Sequence, residues 1–114
     1  MDRAGVGKVC LALPAATLDH PFSEHHDAWR VGGKIFCMVG ERGGISFKVS
    51  DIAYEVLTES GHARPAPYMA RNKWVNLPRI DDWPDGELAD HLAIAHGIVA
   101  GKLTKKARRE LGLV

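Results

Sequence analysis

The stretch Trp29-Arg30-Val31-Gly32-Gly33-Lys34-Ile35-Phe36-Cys37-Met38-Val39, continued by Gly40-Glu41-Arg42-Gly43-Gly44 and Ile45-Ser46-Phe47-Lys48-Val49, decides the fold of this chain. Runs rich in β-branched and aromatic residues alternate with short glycine-bearing loops, the pattern of an antiparallel meander. A two-residue Gly32-Gly33 turn predicts Val31 opposite Lys34, Arg30 opposite Ile35, Trp29 opposite Phe36 and Ala28 opposite Cys37. A second loop over residues 41–44 predicts Gly40 opposite Ile45, Met38 opposite Phe47 and Phe36 opposite Val49. Directly opposed residues share a sheet face. Both turns therefore predict one apolar face, made of Trp29, Val31, Phe36, Met38, Ile45, Phe47 and Val49. The other face is predicted to carry Arg30, Ile35, Cys37, Val39, Ser46 and Lys48, a small apolar strip with a basic residue at either side.

Working outward, Val6, Val9, Cys10 and Leu13 recur at helical spacing and predict a helix over residues 3–13, with Pro14 just past its end. Gly5 and Gly7 weaken its first turn. Residues 17–27 read as a polar stretch. Downstream of the meander, Ser50 or Asp51 is placed to cap a short helix containing Ile52, Val56 and Leu57 and ending near Gly61. Residues 62–67 read as a proline-punctuated connection, and Lys73-Trp74-Val75-Asn76-Leu77 as a further strand. Asp82 and Pro84 precede a long helix whose Leu88, Leu92, Ala95 and Val99 form one stripe. Residues 104–111 predict a last, basic helix. Helices at the two ends can pack on one face of the meander and leave the other partly open. The expected architecture is a single α+β domain over residues 1–114, a two-layer sandwich of an antiparallel β-meander sheet with terminal helices on one face.

Composition narrows the function classes. Hydrophobic residues make up 46% and charged residues 25%, the balance of a folded domain. No apolar run approaches the ~20 residues a membrane helix needs. Met1-Asp2-Arg3 leads into an amphipathic stretch and not an apolar signal core, which predicts a cytoplasmic protein. Cys10 and Cys37 form neither a disulfide framework nor a C-x-x-C metal site and read as buried, reduced thiols. The net charge of +1 is not that of a strongly basic nucleic-acid binder, so such binding would have to come from local clustering of the 15 Lys and Arg.

The candidate chemistry is sparse. In Glu24-His25-His26-Asp27, an extended backbone puts Glu24 with His26 and His25 with Asp27, two ligands to a side where a metal site needs three or more. A solvated loop is the plainer reading, and no metal ligand or cofactor is expected. His91 and His96 are five apart on a helix and read as surface residues. No catalytic residue is assigned: Cys37 sits mid-strand, where a thiol is usually inert packing, and Ser46 has no motif around it. The basic residues are the stronger candidates. Arg30 and Lys48 are predicted on one sheet face, Arg42 tips the second hairpin, and Arg71 and Lys73 flank Trp74. Lys102, Lys105, Lys106, Arg108 and Arg109 form the densest charge cluster. A nucleic-acid backbone needs several cations along one surface, to which an exposed aromatic adds base contacts. The plainer readings are a solvated face with Trp74 in the core, and cations that offset a helix dipole at its C-terminus.

Trp29-Arg30-Val31-Gly32-Gly33-Lys34-Ile35-Phe36 resembles the hairpin of MmcQ/YjbR-like proteins. Ser46-Phe47-Lys48-Val49, Pro65-Ala66-Pro67-Tyr68, Asn72-Lys73-Trp74-Val75 and the helical end from Leu92 to Leu103 followed by Lys105-Lys106 are similar as well, in the same order, from about Cys10 to Leu111. The resemblance implies a fold like the bacterial frataxin (CyaY-like) α/β sandwich, and DNA as a partner, since the family is commonly labelled DNA-binding. It supplies no catalytic residue. Iron binding through an acidic ridge is not carried over, because only Asp2 is acidic before Leu18. The leading expectation is a non-enzymatic, monomeric DNA-binding module that contacts mainly phosphates through Arg30, Arg42, Lys48, Arg71, Lys73, Lys105, Lys106 and Arg109, with Trp74 beside them. The alternative is a protein-interaction or small-ligand domain that uses the open sheet face around Ile35, Cys37, Val39 and Trp74.

Overall fold

A computed structural model describes residues 1–113. Helix α1 spans Arg3–Leu11 and starts where the Asp2 carboxylate accepts the Gly5 N–H. Strands β1 (Ala16–Asp19), β2 (Asp27–Val31), β3 (Lys34–Val39) and β4 (Ile45–Lys48) follow. Helix α2 (Asp51–Glu59) is capped by Ser50, whose side chain accepts the Ala53 N–H. Strand β5 (Arg64–Pro65), a 3₁₀ turn over Ala70–Asn72 and strand β6 (Trp74–Leu77) lead through a second 3₁₀ turn (Ile80–Asp82) to α3 (Asp85–Gly101) and α4 (Lys105–Glu110). The six strands form one antiparallel sheet in the order β1-β2-β3-β4-β6-β5. The expected α+β class is the observed one.

The main core lies between the sheet and the helices. Trp29, Phe36 and Phe47 are fully buried there, beneath Val6 and Cys10 of α1 and the Leu88, Leu92, Ala95 and Val99 stripe of α3. The turn Gly32-Gly33 has positive φ at both residues (59° and 80°), the I′ geometry whose twist suits a two-residue hairpin.

The predicted register holds for Val31–Lys34 and Arg30–Ile35 and is off by one residue beyond them and in the second hairpin, for two separate reasons. β3 carries a bulge, so Arg30 pairs with Ile35 but Trp29 pairs with Cys37. Phe36 is the extra residue, and a bulge lets two successive side chains reach the same side. In the second hairpin the Gly40 N–H donates to the Gly44 carbonyl (2.9 Å), so the loop holds three residues and not four, and Cys37 pairs with Phe47 and Val39 with Ile45, not Met38 with Phe47. Cys37 and Val39, expected on the outer face, are therefore core residues, and Met38, expected in the core, is on the outer face. The polar stretch 17–27 also holds most of an edge strand, β1, and the 62–67 connection holds the short strand β5.

The outer sheet face is not open as expected. The segment from Ala66 to Lys73 lies across it, tied down by the Ala66 N–H to Trp74 O (3.0 Å) and the Val49 N–H to Lys73 O (3.0 Å). Ala28, Met38, Ala66 and Trp74 are buried together there, with Ile35 and Met69 against them. His96, expected at the surface, is 7% exposed. Its Nε2 donates to the Pro14 carbonyl (2.7 Å) and its ring meets Phe36 edge-on. His91 is half-buried.

Candidate functional site

At the end of the sheet marked by the Gly32-Gly33 turn, five cations from five places in the chain meet around one cleft of about 480 Å³. Lys34 opens β3, Lys48 closes β4, Arg71 lies in the 3₁₀ turn, Lys73 precedes β6, and Lys102 caps the C-terminus of α3. Among the described residues Asp51, at the start of α2, is the one carboxylate lining it.

Lys48 is the anchor of this arrangement. Only 7% of it is exposed, and its ammonium donates to the Asn72 carbonyl. Its pKa lies below the ordinary lysine value, first because burial penalises the charged form, then because of Lys102; Asp51 opposes this and Lys73 adds to the lowering. Like charges thus converge on a site with little neutralising charge, and an arriving anion would relieve their repulsion. Lys73 adopts a left-handed backbone (φ 62°), and its ammonium lies 4.8 Å over the Tyr54 ring.

The other expected residues divide. Arg30 is engaged: Nε donates to Asp19 (2.9 Å) and Nη1 to the Gly33 carbonyl (2.8 Å). Trp74 lies under the 66–73 segment at 5% exposure, so it is not available to stack on a base. Arg42 is exposed at the tip of the β3–β4 loop, beside a different cleft. Lys105, Lys106 and Arg109 are exposed on α4. Arg108 and Arg109 fall in its last turn, where cations favour the helix dipole, but Lys105 and Lys106 fall in the first turn, where they oppose it. Helix stabilisation therefore explains only half of that cluster.

Lys34 was missed as a site residue, and Lys102 was grouped with the C-terminal run and not with the cleft. No local signal marks either one; the fold brings them beside Lys48. Among the described residues, only Arg3, Arg30 and Arg79 of the 15 Lys and Arg lie against a carboxylate. The cleft cations and those of α4 do not.

The face proposed for the alternative reading is absent as such, since Cys37 and Val39 point into the core and Trp74 is covered. In the histidine-rich loop Asp27 pairs with His20 at 3.3 Å and with Arg3 at 3.6 Å, and Glu24 with His25 at 3.5 Å. Among the described residues no three His, Cys, Asp or Glu side chains converge as metal ligands would. Cys10 and Cys37 are both buried and free, and burial raises the Cys37 thiol well above its ordinary pKa, with Cys10 adding to the shift. No described helix is long and apolar enough to cross a membrane.

Fold and cleft together define a small α+β sandwich with a basic end to its antiparallel sheet. The chain belongs to the YjbR family, whose model matches residues 11–98. It is 24% identical over 108 residues to the uncharacterized protein YbdF of Escherichia coli O157:H7, covering 91% of this chain and 88% of that protein. Its fold is similar to the crystal structure of Deinococcus radiodurans protein DR2400, which carries a domain called DUF419. The TM-score is 0.87 at 23% identity, covering 99% of this chain and 89% of that one.

Proposed function

We propose that this chain is a non-enzymatic DNA-binding module that holds phosphates in the cleft of Lys34, Lys48, Arg71, Lys73 and Lys102, with the cations of α4 extending the contact. The observation that carries the reading is the convergence of five cations on one cleft with a single carboxylate among the described residues that line it. Surface lysines and arginines ordinarily intersperse with acids, and here the two signs are segregated although the net charge is only +1. Lys48 supports the same reading, because a buried lysine held beside two others is costly to the fold unless an anion shares its site. The free thiols Cys10 and Cys37 fit work in a reducing cytoplasm.

The test is anisotropy titration of a labelled DNA at two salt concentrations. With about four to six phosphate contacts, affinity should fall about 10²–10³-fold between 50 and 200 mM salt. Replacing Lys34, Arg71 and Lys102 together by Glu should abolish binding while the melting temperature stays within a few degrees. Absence of binding at 50 mM salt, or binding indifferent to salt, would overturn the reading.

A further inference from the structure

A second cleft, of about 550 Å³, lies on the outer sheet face beyond the 66–73 segment, within the roughly 300–1,000 Å³ range of small-ligand sites. Its floor is Met38, Ser46 and Asn76, and its rim carries Phe22, Arg42 and Tyr68. The two rim aromatics come from different loops and are both displayed to solvent: Phe22 is 68% exposed and Tyr68 fully so. Phe22 is steadied by an edge contact with His26 (5.0 Å between centroids). Tyr68 is held in a left-handed backbone conformation (φ 65°), which costs an L-residue of this size on the order of 1–2 kcal/mol and carries its ring clear of the sheet. Neither ring serves the core.

The polar groups are placed for recognition. Asn76 is saturated: its amide nitrogen donates to Ile45 O (3.1 Å) and Ser46 Oγ (2.9 Å), and its oxygen accepts from Arg64 Nε (2.7 Å). Ser46 Oγ therefore accepts, and its own O–H remains free to donate to a ligand. Arg42 adds a guanidinium that lies against no carboxylate among the described residues.

The two clefts share a wall. Pro67, Tyr68 and Met69 face the aromatic cleft, while Arg71, Asn72 and Lys73 face the basic one. On the sheet, Ser46 pairs with Asn76 and Lys48 with Trp74, so the two floors are two residues apart, about 7 Å along the strands. That is one or two nucleotide steps of a single strand.

We propose that the cleft rimmed by Phe22, Arg42 and Tyr68 is a site for an unpaired nucleobase, so that the nucleic acid held by this protein is single-stranded. This rests on the phosphate-binding reading of the basic cleft. A base stacks on the Tyr68 or Phe22 ring, the Ser46 hydroxyl donates to a carbonyl on its edge, and the neighbouring phosphate lies in the basic cleft. Duplex DNA keeps its bases stacked inside and is read by an element that protrudes into a groove. Exposed rings beside a depression and a cationic track are instead the means by which single strands are held.

The experiment compares a labelled single-stranded thymidine oligonucleotide with a duplex of the same length, in wild type and in Phe22→Ala, Tyr68→Ala and Tyr68→Phe, at low salt. The expected result is preference for the single strand and a loss of about five-fold or more for at least one of the two alanines, with the salt slope unchanged and Tyr68→Phe close to wild type. Both rings are exposed, so melting curves should match. Single-strand binding indifferent to both alanines, or a duplex bound as tightly as the strand, would overturn the base site and leave the phosphate reading standing. Absence of binding by either nucleic acid would overturn both.

Discussion

His91 sits on α3 with its imidazole edge-on to Trp83 (4.9 Å between centroids) and to Phe47 (6.1 Å), and neither ring nitrogen has a hydrogen-bond partner among the described residues. Its pKa lies below the ordinary 6.5 because burial penalises the imidazolium; Glu87 and Asp90 oppose this, and His62 adds to it. The fold therefore favours the neutral ring. That stability is whole above pH 6.5 and is lost as pH falls from there through the folded-state pKa. Water reaches part of the residue, so the effect is modest, on the order of 0.5 kcal/mol or about 2 °C in melting temperature. His91→Leu, which cannot titrate, should flatten the decline of melting temperature between pH 7 and pH 5. An equally steep decline in the variant would place the acid sensitivity elsewhere.

Among the elements, the hairpin of β2 and β3 was readable in outline and misread in detail. Gly32-Gly33 gave away the turn, and Val31 opposite Lys34 and Arg30 opposite Ile35 follow from it. The bulge at Phe36 leaves no mark in the sequence, because Phe36, Cys37, Met38 and Val39 are all apolar and tolerate either face. One inserted residue inverted Cys37, Met38 and Val39, while a second loop one residue shorter than expected left Ile45, Phe47 and Val49 on the core face predicted for them. Strands β1 and β5 escaped notice because they are short edges, where neither strong alternation nor β-branched runs are required. The long helix α3, by contrast, was legible from its stripe, and Ser50 and Thr104 act as the N-caps of α2 and α4. The two turn glycines are also not equivalent. A methyl group on Gly32 would sit 2.5 Å from Leu103 Cδ1, whereas at Gly33 nothing lies within 4 Å. Both have positive φ, so alanine at Gly33 should cost only the backbone strain, about 1 kcal/mol. Gly32→Ala should cost that plus the displacement of Leu103, about 2–3 kcal/mol in all. Equal losses in denaturant melts of the two variants would show that Leu103 yields freely.

For the whole molecule, the site was partly legible because charge type is local but charge convergence is not. The sequence singles out Arg71 and Lys73 beside Trp74 and Lys48 on the sheet face with Arg30, yet the cleft is completed by Lys34 from a hairpin turn and Lys102 from the end of α3, which only the packing of α3 on the sheet brings together. Arg30 looked equivalent to Lys48 in the sequence and is neutralised by Asp19, a partner supplied by the unrecognised strand β1. The segregation of charge has a consequence for stability. Cations crowded around Lys48 and set at the first turn of α4 work against the free fold, so whatever removes them should favour it. Lys105→Glu with Lys106→Glu places acids where the α4 dipole favours them, and should raise the melting temperature of the free protein by about 1–4 °C, on the order of 0.3–1 kcal/mol. On the proposed phosphate-binding reading, oligonucleotide at about 100 times Kd should stabilise the wild type by about 2.7 kcal/mol and the double variant far less. Paired melting curves therefore place the double variant above the wild type without oligonucleotide and below it with oligonucleotide. A variant less stable when free, yet stabilised as much as wild type by the oligonucleotide, would mean that α4 is held for the fold and takes no part in the nucleic-acid contact.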